Sequence, residues 1–152
     1  MNRKLLINSV SADEIENFIY KIDKLFPTPI SNKTDISTYS NKLYDNGLVL
    51  TMHNDNNEII GMLCGYINNK EIAYMSILGV LQEYQGNGIA KELVCKFLEI
   101  AKNNKNKLVH LYAVESNRSA MNLYNKLGFT RYIVDNEERP DDIHLCKIME
   151  DK

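Results

Sequence analysis

The sequence predicts an α/β (α+β) fold: a mixed, mostly antiparallel sheet of about six to seven strands flanked by about four helices. Three observations predict it. Residues 48–53, 59–67 and 72–80 are strand-like segments separated by the tight polar turns 54–57 and 68–69, the pattern of an antiparallel meander. The rhythm then changes to strand–helix–strand–helix–strand from residue 88 onward. A capped amphipathic helix precedes the meander, after a short N-terminal strand.

The elements follow in order. Residues 4–10 read as a short strand. Ser11 is positioned to cap a helix, and Glu14 completes a capping box. Ile15, Phe18, Ile19, Ile22 and Leu25 recur at helical spacing, and Phe26-Pro27-Thr28-Pro29 stops them. Residues 35–45 read as a second helix, with Ile36, Tyr39 and Leu43 on one side and Gly47 beyond its end. After the meander, residues 88–103 carry an apolar stripe of Ile89, Leu93, Val94, Phe97, Leu98 and Ala101. On its polar face Glu92 and Lys96 are spaced for an i,i+4 ion pair. Residues 108–115 alternate as a strand, 117–127 form a helix ended by Gly128, and 129–134 and 143–149 are closing strands. No linker or repeat divides the chain, so residues 1–152 are expected to form one domain.

Composition narrows the function. Hydrophobic residues make up 44% and charged residues 25%, as in ordinary water-soluble domains. A net charge of −2 supplies no electrostatic drive toward nucleic acid. No apolar run approaches a membrane span, and the N-terminal MNRKLLINSV is too short in apolar residues for a signal-peptide core. Cys64, Cys95 and Cys146 are odd in number and not closely spaced, which argues against a disulfide framework or a zinc site and fits a reducing cytoplasm. No metal is expected. Cys64 and Cys95 fall in apolar patterns and read as core.

The chemistry-bearing stretch is 73–90. An apolar strand ends at Val80, and Gln85-Gly86-Asn87-Gly88-Ile89-Ala90 then opens a helix. The first-turn N–H groups of a helix lack intrahelical partners and carry about half a positive charge, a seat for phosphate. The loop is no P-loop, since no Lys-Ser or Lys-Thr follows the glycines. As a dinucleotide fingerprint it fails at Lys91, where a third Gly or Ala belongs. Taken alone, the glycines are explained as well by a turn that merely joins strand to helix. A second signal lies at 115–129, where Asn117 reads as a helix N-cap and Asn117, Ala120 and Tyr124 share one helix face. Tyr124 on that face reads equally as a phenol beside a ligand or as a rim residue of the core.

Together, the lead-in Leu78-Gly79-Val80, the run Gln85 to Ala90, and Asn117…Ala120…Leu123-Tyr124…Leu127-Gly128-Phe129 resemble the GNAT family of acyl-CoA-dependent N-acyltransferases. The resemblance covers residues 48–134 well and the first 45 only in layout. It implies acetyl-CoA as cosubstrate, with its pyrophosphate on the N–H groups of Gln85, Gly86, Asn87, Gly88, Ile89 and Ala90. It implies that Leu78, Gly79 and Val80 pair with the pantetheine arm, in a V where strands 72–80 and 108–115 splay apart. Asn117, with Ala120 on its face, would hydrogen-bond that arm. Tyr124 would sit near the sulfur as the general acid, a phenol matched to a thiolate of similar pKa. A backbone N–H near Gly79 or Val80 would stabilise the oxyanion.

Glu83, Glu115 and His110 are possible bases with ordinary structural readings, and none is assigned. The acceptor is expected to be a small-molecule amine, with a peptide or protein amine as the alternative, and the family resemblance allows a homodimer. Acceptor-side positions by the same resemblance are Phe26, Pro27, Pro29, Asp35, Tyr39, Arg139 and Asp142. Asp35 or Asp142 could attract a cationic amine, and either reads equally as a surface carboxylate. A CoA-binding module without transfer activity and a nucleotide enzyme using the glycine loop alone are the competing functions.

Overall fold

In the computed structural model, which describes residues 2–26, 29–132 and 142–149, alternating side chains of one sheet feed two separate apolar clusters. The strands are β1 (Lys4–Ile7), β2 (Leu48–His53), β3 (Ile59–Tyr66), β4 (Ile72–Val80), β5 (Leu108–Val114), β6 (Thr130–Arg131) and β7 (Asp142–Ile148). Their order is β1-β2-β3-β4-β5-β7-β6. Every pairing is antiparallel except β4 with β5. Helices α1 (Ala12–Ile22) and α2 (Ile36–Asn46) cover one face, and α3 (Ile89–Asn103) and α4 (Arg118–Lys126) the other. The expected mixed sheet with four flanking helices is thus the observed one.

Strand β2 shows why the centre is rigid. All six of its residues are buried, because Leu48, Leu50 and Met52 point toward α3 while Val49 points toward α1 and α2. Helix α1 begins as expected: Ser11 Oγ accepts the Glu14 N–H at 3.2 Å, and Glu14 returns a carboxylate to the Ser11 N–H at 3.1 Å.

Several local expectations are corrected. Strand β1 ends at Ile7, not residue 10, because Asn8 turns to φ 49° and its side chain takes the Val49 N–H at 2.7 Å. Leu25 lies in a 3₁₀ turn (Asp23–Leu25) beyond α1 and is exposed. Cys95 is exposed, because it lies about 200° round α3 from Leu93 and so off the apolar stripe. Glu92 pairs with Arg3 at 3.5 Å, and Lys96 with Glu99 at 3.4 Å, in place of the Glu92–Lys96 pair. Pro27, Arg139, the loop at 140–141 and the end of the expected strand at 133–134 lie outside the described residues.

Phe97 sits fully buried in the α3 cluster. Phe97→Ala removes its ring without a neighbour to refill the space, and is expected to cost ~3–5 kcal/mol, read as a lowered midpoint in urea unfolding.

Candidate active site

The site begins where two strands part. Parallel pairing of β4 with β5 covers only Ile72↔Leu108, Ala73↔Val109 and Tyr74↔His110. Beyond those pairs β4 stays with β3 up to Val80, and β5 stays with β7 up to Val114. The register Cys64↔Ile77, Gly65↔Met75 leaves Ser76 as an extra residue on β4, a bulge at the point of divergence. The Leu81 N–H donates to the Ile60 carbonyl at 2.9 Å, so by strand alternation Gly79 presents its backbone to β3. Leu78 and Val80 therefore present theirs to the gap. The Val80 carbonyl is taken by Gln85 Nε2 at 3.2 Å.

The loop after β4 turns through φ 83° at Gly86 and 78° at Gly88, conformations that glycine adopts at little cost. A Cβ on Gly86 would meet no atom within 4 Å, so the backbone there faces open space. The first intrahelical bond of α3 runs from the Glu92 N–H to the Gly88 carbonyl. The N–H groups from Gly88 to Lys91 are left to an outside partner, whereas the Gln85 N–H, expected to join them, is spent on the Gln82 carbonyl at 3.2 Å. Gly79 sets the opposite wall: a Cβ there would lie 2.3 Å from Ile22 Cδ1, so any larger residue would force the buried Ile22 side chain to move.

These parts enclose a cavity of about 360 Å³. Strand β4 gives it Leu78, Gly79 and Val80; the loop gives Gln85, Gly86 and Gly88; α3 gives Ile89 and Ala90. Asn117 and Ala120 close it from α4. Asn117 Oδ1 caps α4 by accepting the Ala120 N–H at 3.4 Å, which leaves its amide N–H₂ to donate elsewhere. Asn87 does not line the cavity. Its side chain folds back to the Tyr84 carbonyl at 3.0 Å, and its own carbonyl accepts from Arg3 Nη1 at 2.9 Å. Arg3 was invisible to motif reading, since it lies 84 positions from the loop and outside any pattern.

A second cavity, of about 440 Å³, shares Phe26, Leu78, Asn117 and Ala120 with the first, making one groove through the gap. Phenols dominate it: Tyr39, Tyr66, Tyr74, Tyr112 and Tyr124. Tyr39 is hydrogen-bonded to Ser76 at the bulge, and burial pushes its phenol well above the ordinary value. Tyr124 is buried, packs edge-on to Phe129 at 5.7 Å, and has its pKa pushed up to about 12 by burial. It stays protonated at neutral pH and is a proton donor rather than a base.

The acidic candidates sort themselves. Asp142 lines the second cavity and lies 3.9 Å from Lys33 Nζ. Asp35 caps α2 through the Thr38 N–H and hydroxyl. Glu115 is exposed and holds Arg131 at 2.8 Å, and Glu83 is exposed in the loop. Lys42 lies 5.6 Å over the Tyr66 ring. His110 belongs to a cluster beside the cavity: its Nδ1 is 2.9 Å from His144 Nε2, one nitrogen donating to the other, while His144 stacks on Tyr112 at 4.6 Å. Cys64 is fully buried, and burial raises its thiol far above the reactive range.

The sequence model of the acetyltransferase (GNAT) family matches residues 16–129. N-alpha-acetyltransferase 30 of Schizosaccharomyces pombe is 37% identical over 59 residues, 39% of this chain and 39% of that protein. Mycothiol acetyltransferase of Thermomonospora curvata is 36% identical over 77 residues, 51% of this chain and 26% of that one. This chain therefore spans between 26% and 39% of the length of these relatives. The structure of PaiA N-acetyltransferase from Thermoplasma acidophilum, in complex with coenzyme A, shares the fold at a TM-score of 0.72 and 18% identity, over 97% of this chain and 99% of that one.

The histidine cluster gives a pH signature. Burial lowers the pKa of both His110 and His144 from 6.5, and the neighbouring His144 lowers that of His110 further. The unfolded chain then binds protons before the folded one as pH falls through 6.5, so stability is lost from that point downward. A melting temperature that drops between about pH 7.5 and about pH 5.5 is expected, with the slope flattened by His110→Gln/His144→Gln.

Proposed function

The chain belongs to the acetyltransferase (GNAT) family, and on that premise we propose that it is an acetyl-CoA-dependent N-acetyltransferase acting on a primary amine by direct attack on the thioester. The observation that carries the proposal is the single groove through the β4–β5 gap, with a helix N-terminus at one end and a phenol-lined cavity at the other. Its parts fit the cosubstrate. Unpaired N–H groups at the start of α3, with open space over Gly86, suit a pyrophosphate. A strand edge open at Leu78 and at the Val80 N–H, the Val80 carbonyl being held by Gln85, suits the amides of a pantetheine arm. Asn117, whose N–H₂ is left over by the cap, lines the same groove.

In this reading the acceptor enters the second cavity and its neutral nitrogen adds to the thioester carbonyl. The gap-facing N–H of Leu78 or Val80 stabilises the oxyanion. Collapse breaks the carbon–sulfur bond, and Tyr124 gives its proton to the departing thiolate while the amine proton passes to solvent. Raising the phenol to about 12 weakens it as an acid but keeps the proton in place until a thiolate forms beside it. Alignment of amine and thioester in one groove supplies much of the acceleration, ~7–11 kcal/mol in well-oriented pairs.

A cavity of about 440 Å³ accommodates a small-molecule amine, the acceptor class we favour. The match to an N-alpha-acetyltransferase favours a peptide N-terminus as the second reading. The three free thiols fit action in the cytoplasm.

Acetyl-CoA at 100 times its Kd is expected to stabilise the protein by about 2.7 kcal/mol, and no shift in melting temperature at millimolar acetyl-CoA would refute the proposal. Thiol release across a panel of amino sugars, amino acids, polyamines and short peptides then identifies the acceptor and separates an enzyme from a binding module. Tyr124→Phe is expected to lower kcat about 100-fold with acetyl-CoA affinity unchanged; an unchanged kcat removes Tyr124 as the acid.

A further inference from the structure

Beside the phosphate seat, though not among its lining residues, stands a carboxylate. Glu92 stands in the first turn of α3, one turn from the N–H groups that face the groove, where its charge opposes an incoming phosphate. The Asn87 carbonyl adds a second negative end in the loop itself. No residue from Gln85 to Ala90 carries a positive side chain, and the cation that follows them, Lys91, lines the seat but pairs with neither negative group. Both negative groups are held by one remote side chain. Arg3, just ahead of β1, donates through Nη1 to the Asn87 carbonyl at 2.9 Å and lies 3.5 Å from Glu92 Oε2 through Nε. Its side chain is only 22% exposed, and a Cβ built on Gly88 would sit 3.9 Å from its Nη2. A planar fork with five N–H donors can span a carbonyl and a carboxylate at once, which an ammonium on a flexible stem does less well.

We infer that Arg3 is a positioning residue for the phosphate-bearing cosubstrate: it masks Glu92 and fixes the Asn87 carbonyl, so that the loop presents a net positive face to phosphate. The inference rests on the proposed use of acetyl-CoA and adds a residue from outside the family motifs. An ordinary surface ion pair between Arg3 and Glu92 would influence stability slightly and phosphate affinity not at all. Masking makes a different demand. Loss of Arg3 uncovers Glu92, so the damage must depend on the Glu92 charge and must be screened by salt.

Titration calorimetry on the full chain with acetyl-CoA tests this without relying on turnover. Arg3→Met is expected to raise the Kd about five- to tenfold at low ionic strength, and by less at about 0.5 M salt. Adding Glu92→Gln to Arg3→Met is expected to bring the Kd back to within about twofold of wild type. S-acetylpantetheine, which has the thioester arm and no phosphate, is expected to bind both proteins alike. A Kd for Arg3→Met within twofold of wild type overturns the inference, as does a weakened Kd that Glu92→Gln leaves in place. If Arg3→Met does not fold, Glu92→Gln alone carries the test: it is expected to tighten acetyl-CoA about two- to threefold, and unchanged or weaker binding overturns the inference. No binding of acetyl-CoA by the wild type overturns the proposed function and this inference together, whereas binding with unmoved variants overturns this inference alone.

Discussion

Beyond Tyr74 and His110, β4 and β5 stop sharing hydrogen bonds, and two facing strand edges are left with backbone groups in need of partners. Such groups are expensive to bury unpaired, so the divergence persists only because each strand is secured on its other side. β3 holds β4 as far as Val80, and β7 holds β5 along its whole length. The extra residue Ser76 bends β4 at the branch point, and its bond to Tyr39 ties the bend to α2. The closeness of Ile22 to Gly79 then fixes how far α1 leans over the opening. The groove, its two cavities and the placement of Tyr124 all follow from that one interruption in the sheet.

The groove is electrically graded along its length. At the α3 end the backbone supplies positive character from unpaired N–H groups, with Arg3 behind the loop and Lys91 beside it. In the middle, Tyr124 lies in surroundings dry enough to keep its proton. At the far end phenol rings dominate, with Lys33 and Asp142 facing each other at the mouth and Lys42 over Tyr66. An anion-accepting end, a dry centre and an aromatic end suit the three portions of the proposed reaction: phosphates, thioester and acceptor body. The His110–His144 contact lies behind this end, where His110 packs on Tyr74 and His144 stacks on Tyr112.

Much of this was legible from residue spacing. Alternation located the meander, and the 3.6-residue period located α1, α3 and α4, because each face is decided by neighbours within one or two turns. The Ser11 capping box and the cap at Asn117 were readable for the same reason. Spacing failed where one local rule competed with another. Asn8 ended β1 early by turning left-handed and bonding Val49. Cys95 is apolar in type but stands off the stripe. Glu92 had a suitable lysine four residues on, yet pairs with an arginine brought from just ahead of β1.

By itself, then, the sequence determined the order and type of the elements, the glycine loop that opens α3, and the shared face of Asn117, Ala120 and Tyr124. Those depend on backbone geometry and on contacts a few residues apart. Only the tertiary structure decided how far β4 and β5 run together, which phenols share a cavity, that Asp142 lines a wall, and that Arg3 stands behind Asn87. Each of these depends on strand register or on residues tens of positions apart, and local periodicity carries no record of either. The loop at Gln85–Ala90 could be read from its glycines; the arginine behind it could be seen only once β1 had taken its place at the edge of the sheet.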